Sequence, residues 1–137
     1  MALLLWDESL HINIEEIDIQ HENLFRIIND LHESLQNSAG GDENTRSVLN
    51  SLLEDIILHY DSEERWMKKY NYPDYELHKY QHQQYISKIK DFVRLYKTEH
   101  TSLPAKDILI SLAGWHSKHI IEYDKKFGRY VRECNED

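Results

Sequence analysis

The chain has 137 residues, 40% hydrophobic and 30% charged, enough for one domain with a buried core. Its formal charge of −9 argues against nucleic acid, whose binding is dominated by cationic contacts to phosphate, and against an anionic membrane surface likewise. The single cysteine, Cys134, excludes an internal disulfide framework and a CxxC metal site, and no apolar run approaches the ~18 residues needed to span a bilayer.

With four Gly and two Pro there are few breaks, and no set of short alternating strands with turn clusters occurs, so the chain reads as all-α. The opening residues carry apolar side chains but neither a basic leader nor a small-residue cleavage site, so a cytoplasmic protein is expected. Residues 1–17 read as an extended arm in which Trp6, Leu10, Ile12, Ile14 and Ile17 form an apolar edge to be laid along a bundle. Asp18 is the expected N-cap of a first helix over 18–36, with Ile17, His21, Leu24, Ile28, Leu31 and Leu35 on one stripe at four- and three-residue steps. His21, alone on that stripe, reads as a core histidine until other ligands demand it.

Residues 37–44, with Gly40-Gly41, read as the first loop, and Asp42 or Asn44 is the candidate cap of a second helix over 43–70. Its stripe is Leu49, Leu52, Leu53, Ile56, His59, Glu63 and Met67. After a turn at Asn71-Tyr72-Pro73-Asp74, a third helix over 73–97 carries His78 and His82, continued by Tyr85, Ile86, Ile89, Phe92, Val93 and Tyr96. Residues four apart lie one above the other on a helix, so each of the two pairs, His59 with Glu63 and His78 with His82, can converge on one site. Counted outward from the turn, Glu63 and His78 lie at matched depth, as do His59 and His82. A fourth helix is expected over 103–127, opened by Pro104 and stopped by Gly128 ahead of a short tail, with Ile108, Leu112, Trp115, His119 and Tyr123 inward. Asp124 lies five residues beyond His119, about 500° of ideal helix, so it must approach from the flank or with the help of a π turn. Four helices with short loops make an up-down-up-down antiparallel four-helix bundle with an extended N-terminal arm, all in one domain.

Burying unpaired imidazole and carboxylate is costly, so polar groups on core stripes need each other or a cation. Here they are His21, His59, Glu63, His78, His82 and His119, with Asp124 beside them. This set resembles the hemerythrins, whose pattern His … HxxxE … HxxxH … HxxxxD is matched at every ligand position. The likeness extends to Ile17-Asp18-Ile19-Gln20-His21 with Leu24-Phe25, to Glu63-Glu64 with Met67, to Tyr72-Pro73, and to Trp115 with His119-Ile120, and it covers residues 6 to 127.

The resemblance implies two non-haem iron ions per chain, bridged by Glu63, Asp124 and an oxo or hydroxo group. His78, His82 and His119 would hold one iron and His21 and His59 the other, leaving an open position on the second. It implies reversible binding of dioxygen for delivery, storage or scavenging, by an oxygen-binding protein rather than an enzyme, and leaves room for an unidentified redox or oxygen-consuming partner. The alternatives are a di-iron oxidase or peroxidase and an oxygen- or redox-responsive binding protein. Ferritin-like enzymes use more carboxylates, whereas here imidazoles outnumber carboxylates five to two. One structural zinc takes four ligands, fewer than this set offers.

Three other expectations concern neighbours of the set. Glu64, turned about 100° from Glu63, should point away from the site and matter less. His116 stands where the family pattern has Leu, about 60° from His119 on nearly the same face. The resemblance places it at the border of the oxygen pocket. There it would donate to a bound ligand, admit water or fill the open position, and would make autoxidation sensitive to pH near the ordinary imidazole value of about 6.5. Otherwise it points to the bundle surface or bonds a backbone carbonyl. His11, His32 and His100 lie off the stripes and receive no role.

Overall fold

The apolar stripes form helices over nearly all of the computed structural model, which describes residues 3–37, 43–99 and 104–136. In chain order these are α1 (Glu15–Asn37), α2 (Glu43–Lys69), α3 (Tyr75–Glu99), α4 (Ala105–His119), a π-helical segment (Ile120–Asp124) and α5 (Lys125–Cys134), with a short 3-10 turn at Glu8–Leu10. The last three helical pieces run on from one another, so the bundle has four rods.

Contacts between rods fix their directions. The start of α1 meets the end of α2 where Trp66 donates to Glu16, and the end of α1 meets the start of α2 at Ser34 and Thr45. Glu64 with His82 and Tyr60 with Tyr85 pair α2 and α3 in opposite senses. Tyr85 donates to the Leu112 carbonyl while His78 reaches Asp124, so α3 and the fourth rod are antiparallel too. The architecture is an up-down-up-down four-helix bundle, and among the described residues no helix is long and apolar enough to cross a membrane.

The core is continuous along the rods. Leu24, Ile28, Leu31 and Leu35 of α1 meet Leu49, Leu52, Ile56 and Tyr60 of α2, Tyr85, Ile89, Phe92, Val93 and Tyr96 of α3, and Leu109, Leu112 and Ala113 of α4. The inward face of α4 is turned from the expected one. Its buried residues are Ala105, Leu109, Leu112, Ala113, His116 and His119, whereas Ile108 and Trp115 are only partly buried. Small alanines let the rods approach along a line that hydropathy alone does not mark.

Several boundaries differ from the sequence expectation. Helix α1 begins at Glu15, so Asp18 is not its N-cap. Instead the Asp18 carboxylate accepts N–H bonds from Ile12 and Asn13 at 2.8 and 3.1 Å, folding the chain back at Asn13, whose φ of 66° lies in the left-handed region. The acids Glu15, Glu16 and Asp18 in the first turn suit the positive end of the helix dipole. The arm is therefore not extended to residue 17. The candidate cap Asp42 and Gly40-Gly41 lie outside the described residues, as does His100, and Asn44 falls inside the first turn of α2. Pro104 sits just before α4 rather than within it.

The turn after α2 closes by a Schellman pattern. The N–H of Tyr72 reaches the Met67 carbonyl, the N–H of Asn71 reaches that of Lys68, and Asn71 adopts the left-handed φ of 52° that this motif requires. Gly128 does not stop the fourth rod, which continues to Cys134. It is glycine because a Cβ there would be driven into the carbonyl oxygen of Ile12. The arm thus seats on α5, with Ile12, Ile14, Ile17, Met67, Tyr72, Phe127 and Val131 forming a separate apolar cluster.

Candidate metal centre

Seven polar residues from all four rods meet inside the bundle, each 2% exposed or less: His21, His59, Glu63, His78, His82, His119 and Asp124. The π segment brings in the last of them. Its wider i→i+5 turn takes up the extra residue, and Asp124 Oδ1 lies 3.2 Å from His119 Nε2.

The donors fall into two overlapping groups whose ligand atoms lie within 4.8 Å of one another: Glu63, His78, His82, His119 and Asp124 in one, and His21, His59, Glu63 and Asp124 in the other. Each carboxylate divides its oxygens between them. Glu63 Oε1 faces His78 and His82 Nε2 at 3.3 and 3.0 Å, and its Oε2 faces His21 and His59 Nε2 at 3.0 and 2.7 Å. Asp124 Oδ1 faces His78 at 2.9 Å as well as His119, and its Oδ2 faces His21 at 3.0 Å.

These spacings fit donors around an ion, and two of the pairs, His21 and His82 Nε2 with Glu63, also have hydrogen-bond geometry. Two ligand atoms ~2.1 Å from one first-row ion and at right angles to each other are roughly 3.0 Å apart. Despite the short contacts, His59 Nε2 and both oxygens of Asp124 have no aligned hydrogen bond.

Outer partners sharpen the point. His59 Nδ1 donates to Gln20 Oε1 at 2.7 Å, and Gln20 is held in turn by its Nε2 on Ser62 Oγ. His82 Nδ1 donates to the Glu64 carboxylate at 2.9 Å. With Nδ1 protonated, a neutral ring presents a lone pair at Nε2, and in both residues that nitrogen faces Glu63. Lone pair against carboxylate is repulsive unless a second proton or a cation lies between. The rings are also clamped from the side: Tyr60 stacks on His82 with centroids 3.6 Å apart, and Trp115 on His119 at 4.9 Å.

In the metal-free chain protons fill the role of the cation. Burial pushes His21 and His78 down, but Asp124 and Glu63 outweigh it and raise them to about 9 and about 10. Burial would raise the carboxyls of Glu63 and Asp124, and the surrounding imidazoles hold both well below the usual range. His59 is lowered, by burial first and by His21 beside it.

Glu64 does turn away from the cluster, as its angle demands, yet it is the carboxylate behind His82. Gln20 lies within the motif that carries the family likeness, but its role is not legible there, since a residue preceding a candidate ligand signals nothing by spacing alone. His116 is buried rather than at the bundle surface, and no backbone carbonyl accepts from it, for neither ring nitrogen has a partner. Burial, together with His21 and His59, pushes it well below the ordinary imidazole value, so a titration near 6.5 is not expected of it. His11 packs its ring 5.4 Å from Trp6, His32 lies half-buried beside Gln36, and Cys134 is a free, exposed thiol.

Residues 12–131 match the family model of the hemerythrin HHE cation binding domain. Among curated proteins, the chain is 29% identical to a bacteriohemerythrin of Stenotrophomonas maltophilia, covering 96% of this chain and 84% of that one. It is 26% identical to a bacteriohemerythrin of Methylococcus capsulatus, over 93% of this chain and 96% of that one. A hemerythrin of Sipunculus nudus is 28% identical over 90% of this chain and 89% of its own. A solved wild-type hemerythrin superimposes with a TM-score of 0.84 at 26% identity, covering 95% of this chain and 98% of that one.

Proposed function

The chain belongs to the hemerythrin family, and on that premise we propose that it binds dioxygen reversibly at a non-haem di-iron centre, for oxygen delivery, storage or scavenging in the cytoplasm. The observation that carries the reading is the division of the carboxylates. Glu63 and Asp124 each offer one oxygen to a five-donor group and the other to a four-donor group, so each carboxylate could be shared between two ions.

His78, His82 and His119 would hold one iron and His21 and His59 the other. An iron pair, when bound, supplies the electrons for capturing and releasing dioxygen. The chain's part is to hold the donors and keep water away. Gln20 and Glu64 fix the His59 and His82 tautomers so that Nε2 is free to coordinate. Tyr60 and Trp115 hold the His82 and His119 rings from the side, and Trp6 packs T-shaped on Phe25, 6.4 Å from the His21 ring. The four-donor group has fewer protein ligands, so a ligand from solution is expected there.

The test is an optical spectrum of reduced protein before and after air, with iron counted. Two irons per chain and a coloured form that bleaches when oxygen is removed are expected. A centre that instead consumes oxygen with continuous turnover of a reductant would make the chain a di-iron oxidase or peroxidase. Absence of stoichiometric iron would remove both readings.

A further inference from the structure

His116 is the buried imidazole in this region that the ligand assignment leaves without a task. It stands on the inward face of α4 in its last turn, 1% exposed, with both Nδ1 and Nε2 unpartnered. A neutral imidazole carries one donor and one acceptor, and burying both unpaired is expensive, whereas leucine would fill a similar space at no such cost.

Its neighbours do not satisfy it. The ring stands edge-on to His21 with centroids 6.1 Å apart and to Phe25 at 5.8 Å, and lies nearly parallel to Tyr85 at 6.0 Å. Phe25 has no polar atom, and the Tyr85 hydroxyl is already given to the Leu112 carbonyl. Its ring lies beside His21, a member of the four-donor group, where the chain supplies the fewer ligands.

We propose that His116 is the hydrogen-bond donor of a subsite for a small anion bound at the His21–His59 half of the centre. An N–H in that position meets the ligand's outer lone pairs beside Phe25, which has no polar atom, and Tyr85, whose hydroxyl is already engaged. It distinguishes ligands that can accept a hydrogen bond from those that only fill space. The inference rests on the metal-centre reading, and its test separates the two.

Azide is the probe, titrated optically into iron-loaded protein after iron has been counted. His116→Leu is expected to keep two irons and to lose roughly ten- to hundred-fold in azide affinity, the size of a hydrogen bond to a charged acceptor. His116→Gln, which keeps a donor, should recover most of that loss. In the metal-free protein His116→Leu should melt at a higher temperature, because an unpaired buried polar group is gone. Azide affinity in His116→Leu within twofold of the natural protein overturns the proposal while leaving the iron centre standing. So does loss of iron in His116→Leu, or azide that binds only after that change, since either makes His116 itself a ligand. A chain that takes up no iron fails at the earlier step and removes the subsite with it.

Discussion

Glu64 accepts a hydrogen bond from His82 Nδ1 at 2.9 Å across the interface of α2 and α3, so neighbours in sequence, Glu63 and Glu64, address opposite nitrogens of the same ring. A carboxylate behind an imidazole raises its basicity and fixes its tautomer. Glu64→Gln should therefore weaken the metal held at His82 by about tenfold, measured by competition with a chelator. The loss should stay smaller than that from His82→Ala. An unchanged affinity would mean that the Tyr60 stack orients the ring unaided.

Removing a donor outright has a larger effect. His59→Ala and His82→Ala each delete a nitrogen about 3 Å from Glu63, and among the described residues no unused ligand-type side chain joins either donor group. Bound iron should fall to one per chain or fewer, read by metal analysis after desalting. Two tightly held irons in either variant would refute the assignment.

The raised imidazoles set a pH dependence. His21 and His78, at about 9 and about 10 when folded and ~6.5 when unfolded, stabilise the metal-free fold fully below ~6.5, and that stability is lost as pH rises through 9 to 10. Glu63 and Asp124 are depressed, so their contribution is present above ~4 and lost in acid. Metal must displace the protons on His21 and His78. Affinity should rise between pH 7 and 9 by up to about tenfold per pH unit for each proton displaced, with proton release detectable by calorimetry in buffers of different ionisation enthalpy. The metallated protein should melt higher than the metal-free one at pH 7 and lose less above pH 9. Binding without proton release would show that these imidazoles are already neutral.

Gly128→Ala should destabilise the fold by about 1–3 kcal/mol in chemical denaturation, as overpacking does, because the new Cβ collides with the Ile12 backbone. Equal stability would mean that the arm shifts freely on α5.

Much of this was legible in the sequence, for identifiable reasons. The stripes of α1 and α3 are made of large apolar residues, so periodicity marks them well, and the histidines within them stand out as interruptions. Helix α4 was harder. Trp115 draws the apparent stripe toward itself, while the true contact line runs through Ala105 and Ala113, which weigh little in hydropathy but permit close approach. His116 falls on that line, and its burial follows from it. The start of α1 was obscured because Glu15 and Glu16 look like breaks in an apolar arm, although acids are what a helix N-terminus favours. Glu64 shows the limit of an angular argument on one helix. The angle away from Glu63 held, but α3 brings His82 to that side.

The seating of the arm ties the beginning of the chain to its end. Ile12 rests on Gly128, and Lys125 Nζ donates to the Ser9 carbonyl at 2.6 Å, across 116 positions of sequence. At ~5–20 residues per second of synthesis, that separation corresponds to roughly 6–23 s. During this interval the arm has its partners on α1, Asp18 with Ile12 and Asn13 and Asn29 with Leu4, before its seat on α5 exists. Asp124 emerges just ahead of Lys125 and Gly128, so the last carboxylate and the seat of the arm arrive together. The donor set and the seating of the arm are therefore completed by the same last rod of the bundle.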